Sequence, residues 1–388
     1  MKNLQQVNNP HGDDKVIDAC SIFGAIDTSG ARFSGEGVIQ AIANMHDRGN
    51  GLGGGFAIYG IYPEYPEQYA LHVMFLSRQG KQLTEDFLND SFTVVHAEEV
   101  PAQPSPNIKE PPLVWRYFID VAPHTRQEQS DDDYVVERVM QLNTTVPDVF
   151  VFSSGKDMGV FKGVGYPEDI ARHFCLEQYQ GYLWTAHGRF PTNTPGWWGG
   201  AHPFSILDWS VVHNGEISSY GTNRRYLEQF GYHCTMQTDT EVIAYAVDLV
   251  IRKHGLPMEV FADIAAPPFW DDIKRRSPAQ QKLLTALRQV YGGLLLNGPF
   301  TVIIAHQGRM IGLTDRIRLR PLTVGEKGNV LYLSSEESAI RLICPDLDRV
   351  WTPKGGEPVI ARVGTPLKKQ QIVRKAAVLT KESIAGAD

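Results

Sequence analysis

Residues 184–216 read W-T-A-H-G-R-F-P-T-N-T-P-G-W-W-G-G-A-H-P-F-S-I-L-D-W-S-V-V-H-N-G-E. This stretch is rich in Gly, Pro, Asn and His, and it holds four of the seven tryptophans of the chain. Gly and Pro set special backbone angles, while large aromatic side chains give a loop a small core of its own. The composition alone is typical of a structured loop between strands, so the rest of the chain must decide whether the stretch forms a site.

The composition of the chain excludes several classes of protein. A length of 388 residues predicts one large domain with an insertion, or two domains. The net charge of −7 argues against nucleic acid as a partner. No apolar run approaches the roughly 20 residues that cross a bilayer, and the polar N-terminus does not resemble a signal peptide. Four widely spaced cysteines predict neither disulfides nor a structural zinc, which fits the cytoplasm.

Two segments near the N-terminus differ sharply in their pattern of apolar residues. Residues 1–18 show no periodicity, whereas A-C-S-I-F-G-A-I-D (19–27) predicts a buried strand. The glycine-rich residues 46–60 lack the G-x-x-x-x-G-K-[ST] phosphate loop, and they follow a predicted helix, whereas the dinucleotide fingerprint follows a strand. We therefore expect no nucleotide site there.

Residues 68–165 form a second unit in the predicted layout. Two strand–helix–strand patterns flank the proline-rich linker 101–112, and Thr84 is a plausible N-cap for the first helix. This order suggests a small α+β insertion of ferredoxin-like type. It carries no obvious chemistry.

Four motifs further along the chain form a recognisable set. Cys20 at the start of a strand, H-G-R-F-P-T-N-T (187–194), V-H-N-G-E-I (212–217) and T-D-T-E (238–241) resemble the signature of class II glutamine amidotransferases. These are N-terminal nucleophile hydrolases with an α+β fold, a four-layer αββα sandwich. Within that family the chain most resembles the separate amidotransferase subunit of glutamate synthase. R-L-R-P-L (318–322) and L-S-S-E-E-S-A-I (333–340) are similar to the later half of the family's domain.

The resemblance implies a division of the chain. Residues 20–67 and 166–363 would form the amidotransferase domain, and residues 68–165 the insertion. Residues 1–19 would be a leader or propeptide, and 364–388 a C-terminal tail.

Cys20 is the candidate nucleophile. A free thiol is mostly protonated at neutral pH, and a free α-amine with a pKa of about 7.7–8.0 is well matched to act as its base. While the Ala19–Cys20 peptide bond is intact, that nitrogen is an amide, so the mechanism requires removal of residues 1–19. A lone cysteine is otherwise a small buried hydrophobe. Ser21 stands where many relatives have Gly, a departure that adds a Cβ beside the nucleophile.

Asn214 and Gly215 are the expected oxyanion stabilisers, the first through its side-chain amide and the second through its backbone N–H. The alternative for this dipeptide is a type I′ hairpin turn, and the two interpretations are compatible.

Arg189 and Asp239 are expected to bind the amino-acid head group of the substrate. The planar guanidinium suits the α-carboxylate and the acid suits the α-ammonium, so the pair specifies a zwitterion. Gly188 and Thr192 are expected to shape the same pocket. Asp239 could instead be an acid at a helix start, where Thr238 and Glu241 have the spacing of a capping box.

His187, His202 and His213 share no ligand spacing and are interpreted as hydrogen-bonded loop histidines. We expect no metal and no cofactor in this chain. The role of Trp197-Trp198 stays open between a wall of the pocket and a docking surface.

The resulting hypothesis is a glutaminase subunit. It would hydrolyse L-glutamine and supply ammonia to a synthase partner in a hetero-oligomer, and by resemblance FMN and iron–sulfur clusters would belong to that partner. The alternatives are an amidotransferase for another synthase, such as one making N-methylglutamate, another amide hydrolase on the same sandwich, or a non-catalytic regulatory subunit that keeps its leader.

Overall fold

The computed structural model describes residues 19–123, 128–191 and 196–367. The strands are β1 (Ser21–Asp27), β2 (Phe33–Ser34), β3 (Gly54–Tyr59), β4 (Tyr69–Phe75), β5 (Thr93–Glu99), β6 (Leu113–Asp120), β7 (Val149–Ser153), β8 (Met158–Gly163), β9 (Gln180–Gly181), β10 (Leu183–Gly188), β11 (Phe204–Ile206), β12 (Trp209–Gly215), β13 (Phe300–His306), β14 (Arg309–Thr314), β15 (Thr323–Lys327), β16 (Val330–Ser334), β17 (Arg349–Trp351) and β18 (Val359–Arg362).

The helices lie mostly between the strands. They are α1 (Glu36–Ala43), α2 (Arg78–Ser91), α3 (Asp131–Thr145), α4 (Pro167–His173), α5 (Tyr220–Glu228), α6 (Glu241–Val247), α7 (Met258–Ala265), α8 (Trp270–Lys274), α9 (Pro278–Val290) and α10 (Glu337–Ile343). A π-helical segment, Asp248–Lys253, continues α6, and His46–Arg48, Leu176–Gln178 and Gly292–Leu294 are short 3₁₀ helices. None of these helices is long and apolar enough to cross a membrane.

Two sheets carry the main core. One has seven strands in the order β17-β15-β16-β1-β10-β3-β8, and the other has five in the order β11-β12-β13-β14-β18. Residues 21–26 of β1 are all buried, which explains why this strand reads as a continuous apolar run without alternation. The fold is α+β, with antiparallel pairing throughout the described strands.

The two sheets face each other, and helices cover the outside. A Cβ placed on Gly24 in β1 would lie 2.9 Å from the Met310 sulfur and 3.3 Å from Ile303, both in the five-stranded sheet. On the opposite face of the seven-stranded sheet, the Trp184 ring packs against Gly35 at the start of α1. Helices α1, α4 and α10 contact the seven-stranded sheet, and α6 contacts β11 and β12.

The insertion has a sheet of its own with the order β5-β6-β4-β7. Strand β8 lies inside the predicted insertion range 68–165, yet it pairs with β3 in the seven-stranded sheet. The separate sheet therefore ends at Ser153, and the boundary at 165 is corrected, because the buried strand β8 completes the main sheet. The N-cap of α2 is Ser77. Thr84, predicted at that position, lies inside the helix and bonds the Gly80 carbonyl at 2.9 Å.

Candidate active site

Cys20 lies directly before β1, at the edge where β1 pairs with β10. The Phe190 N–H donates to the Cys20 sulfur at 3.3 Å, because Phe190 follows the end of β10. Burial raises the pKa of the Cys20 thiol, and the Phe190 N–H and the Arg189 charge oppose this only in part. The thiol is therefore protonated at neutral pH and needs a base to become a nucleophile.

Arg48 fixes the backbone of the nucleophile. Its Nε and Nη2 donate to the Cys20 carbonyl at 3.3 and 3.2 Å, and its Nη1 donates to Glu336 at 2.8 Å. The glycine-rich pattern of residues 46–60 argues against a phosphate loop and a dinucleotide site, and it predicts no contact of Arg48 with Cys20. The one feature of the sequence that could have drawn attention to Arg48 is its position as a charged residue between the predicted helix and the next strand.

A cavity of about 450 Å³ opens beside Cys20. Its lining combines the candidate nucleophile with both predicted head-group ligands and the oxyanion glycine: Cys20, Arg189, Phe190, Pro191, His202, His213, Gly215, Glu216, Ile217, Tyr220, Gln237, Thr238, Asp239 and Thr240. A larger cavity of about 510 Å³, lined by residues such as Phe269 and Arg316, contains none of the candidate residues. The chemistry therefore belongs to the smaller cavity.

Asn214 and Gly215 end β12, which pairs with β11 and β13. They do not form the type I′ hairpin turn that the dipeptide suggests, since residues 215 and 300 are still paired across the sheet. Gly215 has a φ of +152°, and a Cβ there would lie 2.0 Å from the Pro299 oxygen, so this position requires glycine. Asn214 is buried, and its Nδ2 lies 3.5 Å from the Ser335 hydroxyl.

Ser335 connects Asn214 to the nucleophile strand. The same hydroxyl oxygen accepts the Ile22 N–H at 3.1 Å, two residues after Cys20. Ser335 lies in residues 333–340, which are similar to the later half of the family's domain, but no motif predicts a role for it. Its contacts hold the amide of Asn214 and the start of β1 in a fixed relation.

Arg189 is buried, with 4% of its surface exposed, although it carries a charge. Its backbone N–H donates to Gly53 at 2.8 Å, and its side chain runs so close to Gly53 that a Cβ there would lie 2.9 Å from Cδ. Burial lowers the pKa of the guanidinium, and the Cys20 and Asp239 groups oppose that shift. The cavity thus has a cationic wall.

Asp239 also lines the cavity and supplies an acidic group. One of its carboxylate oxygens accepts the Ile217 N–H at 2.8 Å, which orients the side chain. The predicted capping box of Thr238 and Glu241 does not form, since α6 has no side-chain cap. Glu241 turns back instead and accepts the N–H groups of Thr235 and Met236, each at 3.0 Å.

The other two predicted pocket residues have different outcomes. Gly188 ends β10 opposite Ser21, and a Cβ there would lie 2.5 Å from the Ser21 hydroxyl. It permits close approach of β1 and β10 but does not line the cavity. Thr192 lies outside the described residues.

The three histidines form a cluster in which His202 and His213 line the cavity and His187 does not. His187 and His213 lie on strands β10 and β12, so they are not loop residues as predicted. The rings of His187 and His202 stack at 3.9 Å, and His202 and His213 both contact the Thr240 hydroxyl, at 2.7 and 3.0 Å. Burial lowers the pKa of all three, that of His187 to about 3, so they are neutral. Within residues 19–123, 128–191 and 196–367, no group of His, Cys, Asp and Glu side chains could hold a metal.

Trp197 and Trp198 pack inside the protein. The Trp197 ring meets Phe150 of the insertion edge-on at 5.0 Å, and the Trp198 ring fills the space beside Gly163. Neither side chain lines the cavity. Their contacts join the insertion to the main sheet, which is a packing role.

Comparison with known proteins identifies the domain. The family model described as "Glutamine amidotransferases class-II" matches residues 58–240. An uncharacterized protein of Archaeoglobus fulgidus is 63% identical over 90% of this chain and 94% of its own length. The glutamine amidotransferase-like protein GlxB of Rhizobium meliloti is 28% identical over 54% of this chain and 60% of its length.

More distant relatives are longer than this chain. An amidophosphoribosyltransferase of Methanocaldococcus jannaschii is 24% identical over 48% of this chain, and the match spans only 35% of that protein. The structure of glutamine phosphoribosylpyrophosphate (PRPP) amidotransferase from B. subtilis, complexed with ADP and GMP, matches at 15% identity with a TM-score of 0.45. It covers 88% of this chain and 47% of that one.

Proposed function

We propose that this chain, whose residues 58–240 match the class II glutamine amidotransferase family, hydrolyses L-glutamine to glutamate and ammonia with Cys20 as an N-terminal nucleophile. The single observation that carries the proposal is the cavity in which Cys20, Arg189, Asp239 and Gly215 meet. A thiol, a cation, an acid and a strand-end N–H are the groups that splitting the side-chain amide of an amino acid requires.

The first half of the reaction forms a thioester. After removal of residues 1–19, the α-amine of Cys20 accepts the thiol proton while the sulfur attacks the side-chain carbonyl carbon. The oxyanion receives hydrogen bonds from Asn214 and the Gly215 N–H. The protonated amine then gives its proton to the leaving nitrogen, and ammonia departs.

The second half releases glutamate. Water attacks the thioester carbon, its proton passes to the α-amine, and the Cys20 sulfur leaves as the thiol. Arg189 and Asp239 hold the α-carboxylate and α-ammonium throughout, so an acyl substrate without a zwitterionic head group is a poor fit.

Ammonia from this reaction needs an acceptor. We propose a separate synthase subunit of the glutamate synthase type as partner, which makes the functional unit a hetero-oligomer. The flavin and iron–sulfur chemistry of such a synthase is assigned to that partner. We further propose that the two stacked sheets with outer helices are the αββα sandwich, and that the sheet of residues 69–153 is ferredoxin-like, because its elements follow the order β-α-β-β-α-β.

Cys20→Ala tests the assignment of the nucleophile. We expect this variant to lose glutaminase activity while its melting temperature stays near that of the wild type, because the change removes one sulfur atom. The matched control is Cys175→Ala, a free thiol far from the cavity, which should retain activity. Ammonia release at the wild-type rate by Cys20→Ala would refute the proposed mechanism.

A further inference from the structure

A buried lysine lies behind the cavity and takes no part in the proposed reaction. Lys162 is on β8 with 2% of its surface exposed, and its ammonium lies 4.3 Å from the Phe204 ring centroid and 5.6 Å from that of Phe152. Burial lowers the pKa of Lys162 to about 7, although the Glu241 carboxylate opposes the shift. A buried cation lowers the stability of the folded protein unless it is paired and hydrogen-bonded.

Lys162 contacts two segments that come from different parts of the chain. Its Nζ donates to the Gly199 carbonyl at 2.9 Å and lies 3.8 Å from the Met236 sulfur. The first contact is with the turn 196–202 after β10, and the second is with the segment 235–239 before α6. The Lys162 side chain thus contacts both segments.

The turn 196–202 supports Arg189. A Cβ on Gly200 would lie 3.3 Å from Nη1 of Arg189, so the backbone next to Gly199 runs alongside the guanidinium. A Cβ on Gly199 would lie 2.2 Å from the Trp197 ring, which leaves this turn little freedom on its other side. The bond from Lys162 therefore fixes the backbone that borders the cation of the cavity.

The segment 235–239 carries Asp239. The Glu241 carboxylate accepts the N–H groups of Thr235 and Met236, and the Tyr245 hydroxyl donates to it at 2.8 Å. The next residues, Gln237 to Asp239, line the cavity. Glu241 thus bonds the backbone of this segment, and Lys162 contacts its Met236 side chain.

We propose that Lys162 is a positioning residue that sets the relative placement of Arg189 and Asp239, and with it the specificity for a free amino-acid head group. This inference rests on the proposed function. Lys162 does not line the cavity, so it acts on the substrate only through the two segments. A residue that merely fills the core would be replaced at no cost to substrate binding by an apolar side chain of similar length.

Lys162→Met separates these two roles. We expect KM for glutamine to rise at least about tenfold, the effect of losing one charge-assisted hydrogen bond, with a much smaller change in kcat. The melting temperature should fall, because Met leaves the Gly199 carbonyl without its donor and the buried Glu241 carboxylate without a nearby cation. The matched control is Lys156→Met, in the loop just before β8, whose ammonium lies over the Tyr69 ring at 4.5 Å. It should leave KM unchanged.

Lys162→Gln provides a rescue, because its amide keeps an N–H donor for the Gly199 carbonyl. Its KM should lie between those of the wild type and Lys162→Met. An unchanged KM in Lys162→Met overturns the inference, and so does a KM of Lys162→Gln that is no lower than that of Lys162→Met. Wild-type protein without glutaminase activity would instead contradict the proposed function, so the two failures are distinguishable.

Discussion

At the scale of single residues, Ser335 contacts both the strand that follows the candidate nucleophile and the proposed oxyanion donor Asn214. Its hydroxyl oxygen accepts the Ile22 N–H next to the nucleophile and lies 3.5 Å from the Asn214 amide nitrogen. An oxyanion donor stabilises a transition state only if it is aimed before the reaction begins. The burial of Asn214 and its contact with Ser335 restrain the amide, while Asn214 does not itself line the cavity.

Asn214→Ala should lower kcat by about 10²–10³, the usual effect of removing one oxyanion donor, with little change in KM. Steady-state kinetics of ammonia release measures both values. Asn143→Ala is the control, because Asn143 makes two hydrogen bonds to Val151 inside the insertion and should affect only the melting temperature. A fall in kcat of less than about threefold for Asn214→Ala would remove Asn214 from the mechanism.

Sequence patterns predict some of these residues better than others. Cys20, Arg189 and Asp239 are in short motifs with a direct chemical meaning, and the cavity unites them. Arg48 and Lys162 carry no motif, because their partners lie 28 and 37 residues away in sequence. Only the tertiary fold brings such partners together, so a linear pattern does not contain the contact.

At the scale of elements, strand β10 packs against the start of helix α1. Trp184 of β10 is fully buried, and its ring occupies the space where Gly35 has no side chain. Gly35 has a φ of −67°, which any residue can adopt, so only the contact with Trp184 requires glycine. This contact sets how closely the helix approaches the sheet.

Gly35→Ala should lower the free energy of unfolding by about 1–3 kcal/mol, because the new Cβ would lie 2.3 Å from the Trp184 ring. Chemical denaturation measures the change. Gly292→Ala is the control, since a Cβ there meets nothing within 4 Å. Equal stability of the two variants would show that α1 can move away from the sheet without cost.

Element prediction from the sequence fails mainly at boundaries. The predicted insertion range 68–165 includes β8, yet the buried side chains of this strand complete the main sheet beside β3. The Asn214-Gly215 dipeptide suggests a turn, but hydrogen bonding to β13 extends the strand through it. In both cases tertiary pairing overrides a local signal.

At the scale of the whole molecule, two sheets bring distant residues to one cavity. The nucleophile precedes the first strand of the seven-stranded sheet, while Gly215 ends a strand of the five-stranded sheet. The sequence alone does not predict that Cys20 and Gly215 lie close together; that expectation comes from the family resemblance. In the proposed mechanism, by contrast, the base exists only after removal of residues 1–19, because an amide nitrogen at Cys20 cannot accept the thiol proton.

Intact mass spectrometry of the purified, ammonia-releasing protein is the most direct test of this account. We predict a mass that lacks residues 1–19, with Cys20 as the first residue. Peptide mapping of the N-terminus verifies the cleavage position, and specific activity should follow the cleaved fraction from one preparation to another. Full glutaminase activity in protein that retains Met1 would contradict the account, because the α-amine of Cys20 would then be absent.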